Sequence, residues 1–175
     1  VPQWDFAPEA GDLDSDGDID LVIGEFDGGL FFVENTAGAD KPAEFANPVY
    51  PYKDIYVGAG STPCIADINY DGLNDLVIGE RLGNNDIDGK CSNLNYFENI
   101  GEKGAPDFIA DPRESPNTAC LGRVLFYPTT GTAEWSAPEI VLTNLGPRMM
   151  TGSAKGELMV YSNIGASDTE PFVLE

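Results

Sequence analysis

Two short segments of the chain crowd oxygen-bearing side chains at the same spacing. The first reads GDLDSDGDIDLVIG and the second reads ADINYDGLNDLVIG. In each loop these side chains occupy positions 1, 3, 5 and 9, and glycine occupies position 6. Carboxylates this close together repel one another unless a cation lies between them. The predicted ligands are Asp12, Asp14, Asp16, Asp20 and the backbone carbonyl of Asp18 in loop 1, and Asp67, Asn69, Asp71, Asp75 and the backbone carbonyl of Leu73 in loop 2.

This spacing favours calcium. Alternate side chains of such a loop converge on one ion, as at the start of an EF-hand loop, and hard oxygen donors suit Ca²⁺ better than zinc or copper. The bidentate glutamate of an EF-hand is missing, because positions 10–12 are apolar and read as a strand. We therefore expect two structural Ca²⁺ sites with dissociation constants of about 10⁻⁴–10⁻³ M. The alternative is a pair of Asp/Asn/Gly turns without metal.

The net negative charge of the chain disfavours polyanionic partners. The chain has 175 residues, with 30 acidic and 9 basic side chains and a net charge of −21. Nucleic acid and anionic membrane surfaces are therefore unexpected partners, because both need a basic face. No apolar run approaches the ~20 residues of a membrane-spanning helix, so we expect no membrane insertion. The chain begins at Val1 without a signal-peptide pattern, which predicts a mature or internal segment.

Catalysis is not indicated by the residue types. Histidine is absent, which removes histidine-based triads, proton shuttles and metal sites. The sequence shows no GxSxG elbow, phosphate-binding loop or dinucleotide fingerprint, and Ser115 and Ser136 have no evident base. Most clustered aspartates are assigned to metal binding. We therefore expect a protein that is not an enzyme.

The acidic loops belong to an internal repeat of three units. Asn35, Asn99 and Asn163 end the segments of the three units that align, and they lie 64 residues apart each time. Each unit has a proline ahead of the loop position and a glycine after the central apolar run. Short apolar, aromatic and β-branched runs predict strands, and frequent glycine and proline argue against long helices. The predicted strands are Leu21–Ile23, Leu76–Ile78 and Met149–Thr151, then Leu30–Glu34, Leu94–Glu98 and Leu158–Ser162, followed by the extended stretches PAEFANPVY, APDFIADP and EPFVLE.

With the loop and the run LFFVEN or LNYFEN that follows it, each of the first two units resembles the FG-GAP/VCBS-type repeats of integrin α-subunit propellers and secreted bacterial proteins. The resemblance implies an all-β fold of three propeller-type blades of about four antiparallel strands each. Three blades are too few for a closed propeller, so we expect a partial, open or oligomer-completed one. The predicted units are 1–52, 53–122 and 123–175. The third departs from the pattern, because LTNLGPRMM is two residues shorter and has no acid, so we expect no metal there.

Cysteines and basic residues add expectations for the face opposite the metal loops. The meander topology brings Cys91 and Cys120 to that face, and we predict a disulfide between them, with three free thiols as the alternative. Cys64 is expected to be a buried free thiol in a strand. A disulfide would support an oxidising compartment. The same face carries Arg81, Lys90, Arg113 and Arg123, and ordinary solubilising charge is favoured over an anion site. The insert 80–93 is read as a solvated loop rather than a third metal site.

These features together predict a non-catalytic, calcium-stabilised module of an extracellular or cell-surface protein. It would serve adhesion by binding a protein or glycan ligand. The alternative is a structural subunit of an extracellular fibre or surface assembly, in which the partners are other copies of the chain. Exposed sheet edges at the two ends of the blade series would then make the contacts.

Overall fold

The computed structural model describes residues 5–80, 94–109, 121, 136–144, 146–152, 156–162, 164–165 and 172–175. Within these ranges the chain is all-β and contains no α-helix. The strands form three separate antiparallel sheets, and none of the described sheets closes into a barrel. No helix in the described part of the chain is long and apolar enough to cross a bilayer.

Each sheet corresponds to one predicted repeat, and each begins with a hairpin. Sheet 1 has the strand order β1-β2-β3, sheet 2 has β4-β5-β6, and sheet 3 has β7-β8-β9-β10. The strands are β1 (Ala7–Gly11), β2 (Asp20–Gly24), β3 (Leu30–Val33), β4 (Thr62–Ala66), β5 (Asp75–Gly79), β6 (Leu94–Phe97), β7 (Ala137–Thr143), β8 (Gly146–Gly152), β9 (Leu158–Ser162) and β10 (Val173–Leu174).

The repeated proline marks the first strand of every sheet. Pro8, Pro63 and Pro138 occupy equivalent register positions. Each lies three pairs from the pair that contains Asp20, Asp75 or Arg148 in the second strand of its sheet. Proline cannot donate to a strand ladder, and it is tolerated on an edge strand. Strands β1, β4 and β7 are the edge strands of their sheets, so the proline pattern agrees with the topology.

In the part of the chain that the structure describes, a fourth strand is formed only in sheet 3. There β10 pairs with β9 through Val173 and Leu174. In the first two units the expected stretches form isolated bridges, Phe32 with Val49 and Asn99 with Phe108. Prolines near both bridges interrupt the donors that a continuous ladder needs. We expected about four strands in every unit. Among the described residues, sheet 3 has four strands, whereas sheets 1 and 2 have three strands each and isolated bridges in place of the fourth.

Two hydrophobic cores separate the three sheets. The core between sheets 1 and 2 contains Val22, Leu30 and Phe32 from one sheet and Leu76 and Ile78 from the next. The second core lies between the other face of sheet 2 and a face of sheet 3. Its members include Val77, Leu94, Tyr96, Met149 and Tyr161. The first strands lie side by side in chain order, with β4 next to both β1 and β7.

Candidate metal centres

Loop 1 joins β1 to β2, and its carboxylates are turned toward its own backbone. Asp12 Oδ2 accepts from Gly17 N at 3.1 Å, and Asp14 Oδ1 accepts from Asp16 N at 3.1 Å. Asp16 Oδ1 accepts from Asp18 N at 3.0 Å. Asp and Asn side chains favour such turns because they can hydrogen-bond the backbone two residues on. The loop therefore folds its acidic side chains inward.

Loop 2 joins β4 to β5 and repeats the same hydrogen bonds. Gly72 N donates to Asp67 Oδ2 at 2.9 Å, and Asp71 N donates to Asn69 Oδ1 at 3.1 Å. Leu73 N donates to Asp71 Oδ1 at 2.9 Å. The two loops also share their backbone shape, since positions 4 and 6 have positive φ in both. These residues are Ser15 and Gly17 in loop 1, and Tyr70 and Gly72 in loop 2.

The aspartate at position 9 opens the second strand of each hairpin and is buried. Asp20 accepts from Leu13 N at 3.1 Å and from Asn35 N at 2.9 Å. Asp75 accepts from Ile68 N at 3.2 Å and Asn99 N at 2.9 Å. In the metal-free protein, burial raises the pKa of Asp20 and of Asp75 to about 6, although these backbone hydrogen bonds lower it.

Loop 1 leaves carboxylate oxygens that a cation could take. Oxygens of Asp12, Asp14 and Asp20 all lie within 4.8 Å of one another. Asp12 Oδ1 and Asp18 Oδ1 are buried and have no hydrogen-bond partner among the described residues, and Asp18 is only 6% exposed. Burial raises the pKa of Asp14, and the neighbouring Asp16 and Asp12 charges add to this. Buried, unpaired carboxylate oxygens are costly, so the donor set fits a hard cation such as Ca²⁺.

The remaining predicted ligands differ in their exposure and in their position in the two loops. Asp16 and Asp71, at position 5, are exposed at the loop rims. Asp18, which was predicted to contribute its carbonyl, also has its carboxylate at loop 1, where Oδ2 accepts from Gly38 N at 2.7 Å. Leu73 is half-buried beside Asp71. Loop 2 has an amide, Asn69, at position 3, so it lacks the carboxylate trio that loop 1 gathers.

The third hairpin has no such loop. Strands β7 and β8 pair all the way to Thr143 and Gly146, which leaves a tight turn. Arg148 stands at the register position of Asp20 and Asp75, and its Nε forms an ion pair with Glu175 Oε1 at 2.6 Å. A cation in place of the position-9 carboxylate is incompatible with calcium binding there.

Two asparagines next to the acidic loops make structural hydrogen bonds that the sequence analysis did not predict. Asn35 Oδ1 accepts from Ala37 N and Glu44 N, which fixes the chain that follows sheet 1. Asn99 Oδ1 accepts from Gly101 N and Asp107 N in the same way. The repeat of asparagine at a fixed interval was the available signal.

The two loops are also in contact with each other's repeats. Asn74 Nδ2, at position 8 of loop 2, donates to the Asp12 carbonyl at 2.6 Å. Gly104 N, which follows sheet 2, donates to the Asp14 carbonyl at 2.6 Å. Leu13 and Ile68, at position 2, are buried in the two different cores. The loops are therefore anchored in the fold and lie along one side of the sheet series.

A second group of possible ligands lies on the first strands. Glu9, Cys64 and Glu139 each follow the repeated proline, and their ligand atoms lie within 4.8 Å of one another. Cys64 is buried with a free thiol, as predicted. Burial raises the pKa of this thiol to about 12, and the Glu9 and Glu139 charges add to the increase. The predicted Cys91–Cys120 disulfide lies outside the described residues, as do Arg81, Lys90, Arg113, Arg123 and residues 81–93 of the insert. Glu80, the first residue of the insert, is described and is buried rather than solvated.

Two clefts open beside the acidic loops. One, of about 430 Å³, is lined by Asp14, Glu34, Tyr52, Lys53 and Asp107 among others. The other, of about 360 Å³, includes Asp67, Tyr70, Asn74 and Ile140. Within the described ranges, these two concave surfaces adjoin the acidic loops.

Comparison with known proteins adds no identification. No family model, curated protein or solved structure matches the chain.

Proposed function

We propose that the chain is a non-catalytic, calcium-stabilised repeat module of an extracellular or cell-surface protein that binds a protein or glycan. One observation carries the calcium assignment. Loop 1, whose hydrogen-bonded shape loop 2 repeats, retains buried carboxylate oxygens that have no partner in the part of the chain that the structure describes. Turn formation alone explains the inward carboxylates but not the unpaired buried oxygens.

Calcium is the preferred ion because of the donor set. The loops offer carboxylate, amide and carbonyl oxygens and no soft ligand, which excludes a thiolate- or imidazole-selected metal at these positions. Mg²⁺ prefers fewer protein ligands and retains more water. An extracellular setting would supply millimolar calcium, which suits weak structural sites.

We further propose that the three sheets are propeller-type blades of the FG-GAP/VCBS kind. The arrangement of the first strands supports this, since β1, β4 and β7 lie side by side. The repeated packing of one sheet face on the next also supports it. In a propeller, radially repeated sheets pack in this manner around an axis.

The ligand surface in this proposal lies beside the loops. Tyr70 is 66% exposed, and it adjoins the polar groups of Asp67 and Asn74 in one cleft. An exposed aromatic ring next to carboxylate and amide groups can contact a sugar ring or a basic protein side chain. The absence of catalysis in this proposal rests on the sequence, which has no histidine and uses its clustered aspartates as ligands.

Thermal unfolding with calcium or with EDTA tests the metal assignment. A site at a calcium concentration of about 100 times its dissociation constant stabilises the fold by about 2.7 kcal/mol. For a chain of this size, each kcal/mol raises Tm by about 2–4 °C. We expect two sites to raise Tm by about 10–20 °C. Magnesium at the same concentration is the control and should give a smaller shift. An unchanged Tm in EDTA would refute the structural role of calcium.

Binding to candidate glycans and basic proteins tests the ligand surface. Tyr70→Ala should reduce binding with little change in Tm, because the side chain is exposed. Tyr56→Ala is the matched control, since Tyr56 is an exposed tyrosine that does not line this cleft. Equal binding by the two variants would exclude the Tyr70 cleft as the ligand site.

The alternative function, a structural subunit of an extracellular assembly, is favoured by one separate observation. The first and the last sheet each leave an apolar face exposed.

A further inference from the structure

The contact between successive sheets is made by the same register positions each time. We call the side of a sheet that packs on the next sheet its leading face, and the side that packs on the preceding sheet its trailing face. The leading faces carry the cross-strand pairs Val22–Phe32 in sheet 1 and Val77–Tyr96 in sheet 2. The trailing face of sheet 2 carries Leu76 and Ile78 in the shared core.

Among the described sheets, none packs on the trailing face of sheet 1. A groove of about 440 Å³ there is lined by Phe6, Pro8, Ile23, Phe31 and Pro48. Phe6 is 56% exposed. The counterparts of Pro8 and Ile23 in sheet 2 are Pro63 and Ile78, and both are buried where sheet 1 covers them. The groove is therefore an uncovered copy of a surface that the molecule covers elsewhere.

The leading face of sheet 3 is the complementary half. Its cross-strand pair is Met150–Val160, and both residues are only half-buried. Leu158 is 71% exposed, whereas its counterparts Leu30 and Leu94 are fully buried against the next sheet. The leucine at this position is therefore buried in sheets 1 and 2 and exposed to solvent in sheet 3.

The repeated glycine points to what should cover this face. A Cβ at Gly24 would overlap the carbonyl oxygen of Ser61, and one at Gly79 would overlap that of Ser136. Both serines lie directly before the first strand of the next sheet. Gly152 occupies the same register position in sheet 3, but no atom of the described residues lies within 4 Å of the corresponding Cβ. The third sheet keeps the space into which the backbone of a following sheet would fit.

We propose that sheet 3 of one copy docks through its leading face onto the trailing face of sheet 1 of a second copy. Leu158 would enter the groove at Phe6 and Pro8, and Gly152 would lie under the backbone at the start of β1. A second copy is the occupant because the two uncovered faces are the two halves of a contact that the chain makes twice internally. The contact is heterologous, so a pair joined by one such contact retains two free faces, one at each end, and can extend.

The inference rests on the blade-like stacking of the proposed function, but it requires neither calcium nor a ligand. The net charge of −21 opposes association of copies, and salt screens this repulsion. Association should therefore increase with ionic strength. Measurements in calcium and in EDTA separate the two ideas. Loss of the calcium shift in Tm refutes the metal sites, whereas a monomer in both conditions refutes the docking.

Sedimentation velocity over a dilution series at high salt tests the docking directly. The wild-type chain should form dimers and larger species. Phe6→Asp blocks the groove and Leu158→Asp blocks the leading face, and both side chains are exposed enough to be changed without unfolding. Each variant alone should be a monomer. An equimolar mixture should form one dimer and nothing larger, because only one intact pair of faces remains.

Ile100→Asp is the matched control, since Ile100 is an exposed apolar residue outside both faces, and it should associate like wild type. A wild-type monomer at every concentration would overturn the proposal. So would a mixture of the two blocked variants that fails to dimerise. Loss of association in Phe6→Asp but not in Leu158→Asp would indicate a symmetric contact and would also overturn it.

Gly152→Ala supplies a second test with the smallest possible change. The added methyl group meets no atom of the described residues within 4 Å, so Tm should not change. In the docked pair it would overlap backbone, and association should weaken by about tenfold or more. Gly165→Ala is the control, because a Cβ there also meets nothing within 4 Å and the residue is not on the leading face. Equal association by the two variants would contradict the docking geometry.

Discussion

The hairpins that open sheets 1 and 2 differ from the hairpin that opens sheet 3 in one respect. The first two are joined by acidic loops that end at Asp20 and Asp75, whereas the third pairs to a tight turn at Gly146. All three keep the first-strand proline and the second-strand glycine. The strands therefore form without the acidic residues, and the acidic residues need a separate explanation.

We propose that a cation bound in each of the first two hairpins is that explanation. In the third, Arg148 supplies positive charge at the position of the buried aspartate and pairs with Glu175. In the first two, the charge on Asp20 and Asp75 is balanced only by hydrogen-bond donors from the described residues. In this proposal, the strand residues stabilise the fold and the acidic loop residues bind the cation. Variants of the two groups should therefore respond differently to calcium.

The largest expected effect concerns a loop residue that belongs to the fold. Leu13 lies between two acidic ligands but is fully buried in the core. Leu13→Ala should lower the free energy of unfolding by about 2–5 kcal/mol. Because the loss is one of packing, it should be equal in calcium and in EDTA, as measured by urea unfolding. Ile19→Ala, at an exposed position of the same loop, should change stability by about 0.5 kcal/mol or less.

Asp12→Asn tests a residue assigned to the metal. It keeps an acceptor for Gly17 N but removes charge from the carboxylate whose Oδ1 is buried without a partner. At a calcium concentration of about 100 times the dissociation constant, it should cost about 2–3 kcal/mol. In EDTA the cost should vanish, because repulsion among the aspartates decreases. Asp40→Asn, an exposed change of equal charge outside both loops, should show no calcium dependence. An equal cost for Asp12→Asn in both conditions would assign Asp12 to the fold.

The pH dependence of stability should change sign with calcium. Without metal, the folded-state pKa values of Asp20 and Asp75 are about 6, above the unfolded value of 3.8. The folded chain then binds more protons, so stability falls as pH rises from about 4 to about 6. With calcium bound, protons compete with the ion, and stability should fall as pH decreases instead. Thermal melts at several pH values, with and without EDTA, check this. The same slope in both conditions would contradict calcium binding at these residues.

The smallest expected effect concerns the link between the two loops. Asn74 in loop 2 donates to the Asp12 carbonyl in loop 1. Asn74→Ala should cost about 1 kcal/mol and weaken calcium binding at loop 1 as well as at loop 2. Asn144→Ala, in the third hairpin, is the control and should leave calcium affinity unchanged. Titration of calcium into each variant measures this, and unaltered affinity at loop 1 would show that the two sites are independent.

The strands and the loops were predictable from sequence because their signals are local. Apolar runs ending in glycine predicted β2, β5 and β8, and the spacing of aspartates predicted which side chains share a loop. The sequence predicted about four strands in every unit, but in the described parts of units 1 and 2 the fourth stretch forms isolated bridges at Val49 and Phe108. These bridges depend on how nearby prolines interrupt a ladder, which the apolar pattern does not reveal.

Other parts of the sites depend on contacts between units, which a local pattern does not reveal. The buried carboxylate of Asp18 is fixed by Gly38, and the Asp12 carbonyl by Asn74, which is 62 residues away in the chain. The convergence of Glu9, Cys64 and Glu139 needs three strands to lie side by side. Their common position after the proline was visible, but their proximity was not.

Calcium stoichiometry tests the central claim most directly. Isothermal titration calorimetry of the wild-type chain should give two calcium ions per chain, one for each acidic loop and none for the third hairpin. Asp12→Asn should leave one ion, and Asp12→Asn combined with Asp67→Asn should leave none. Absence of calcium binding by the folded wild-type chain, or a stoichiometry unchanged in the double variant, would contradict the assignment of the acidic loops to metal.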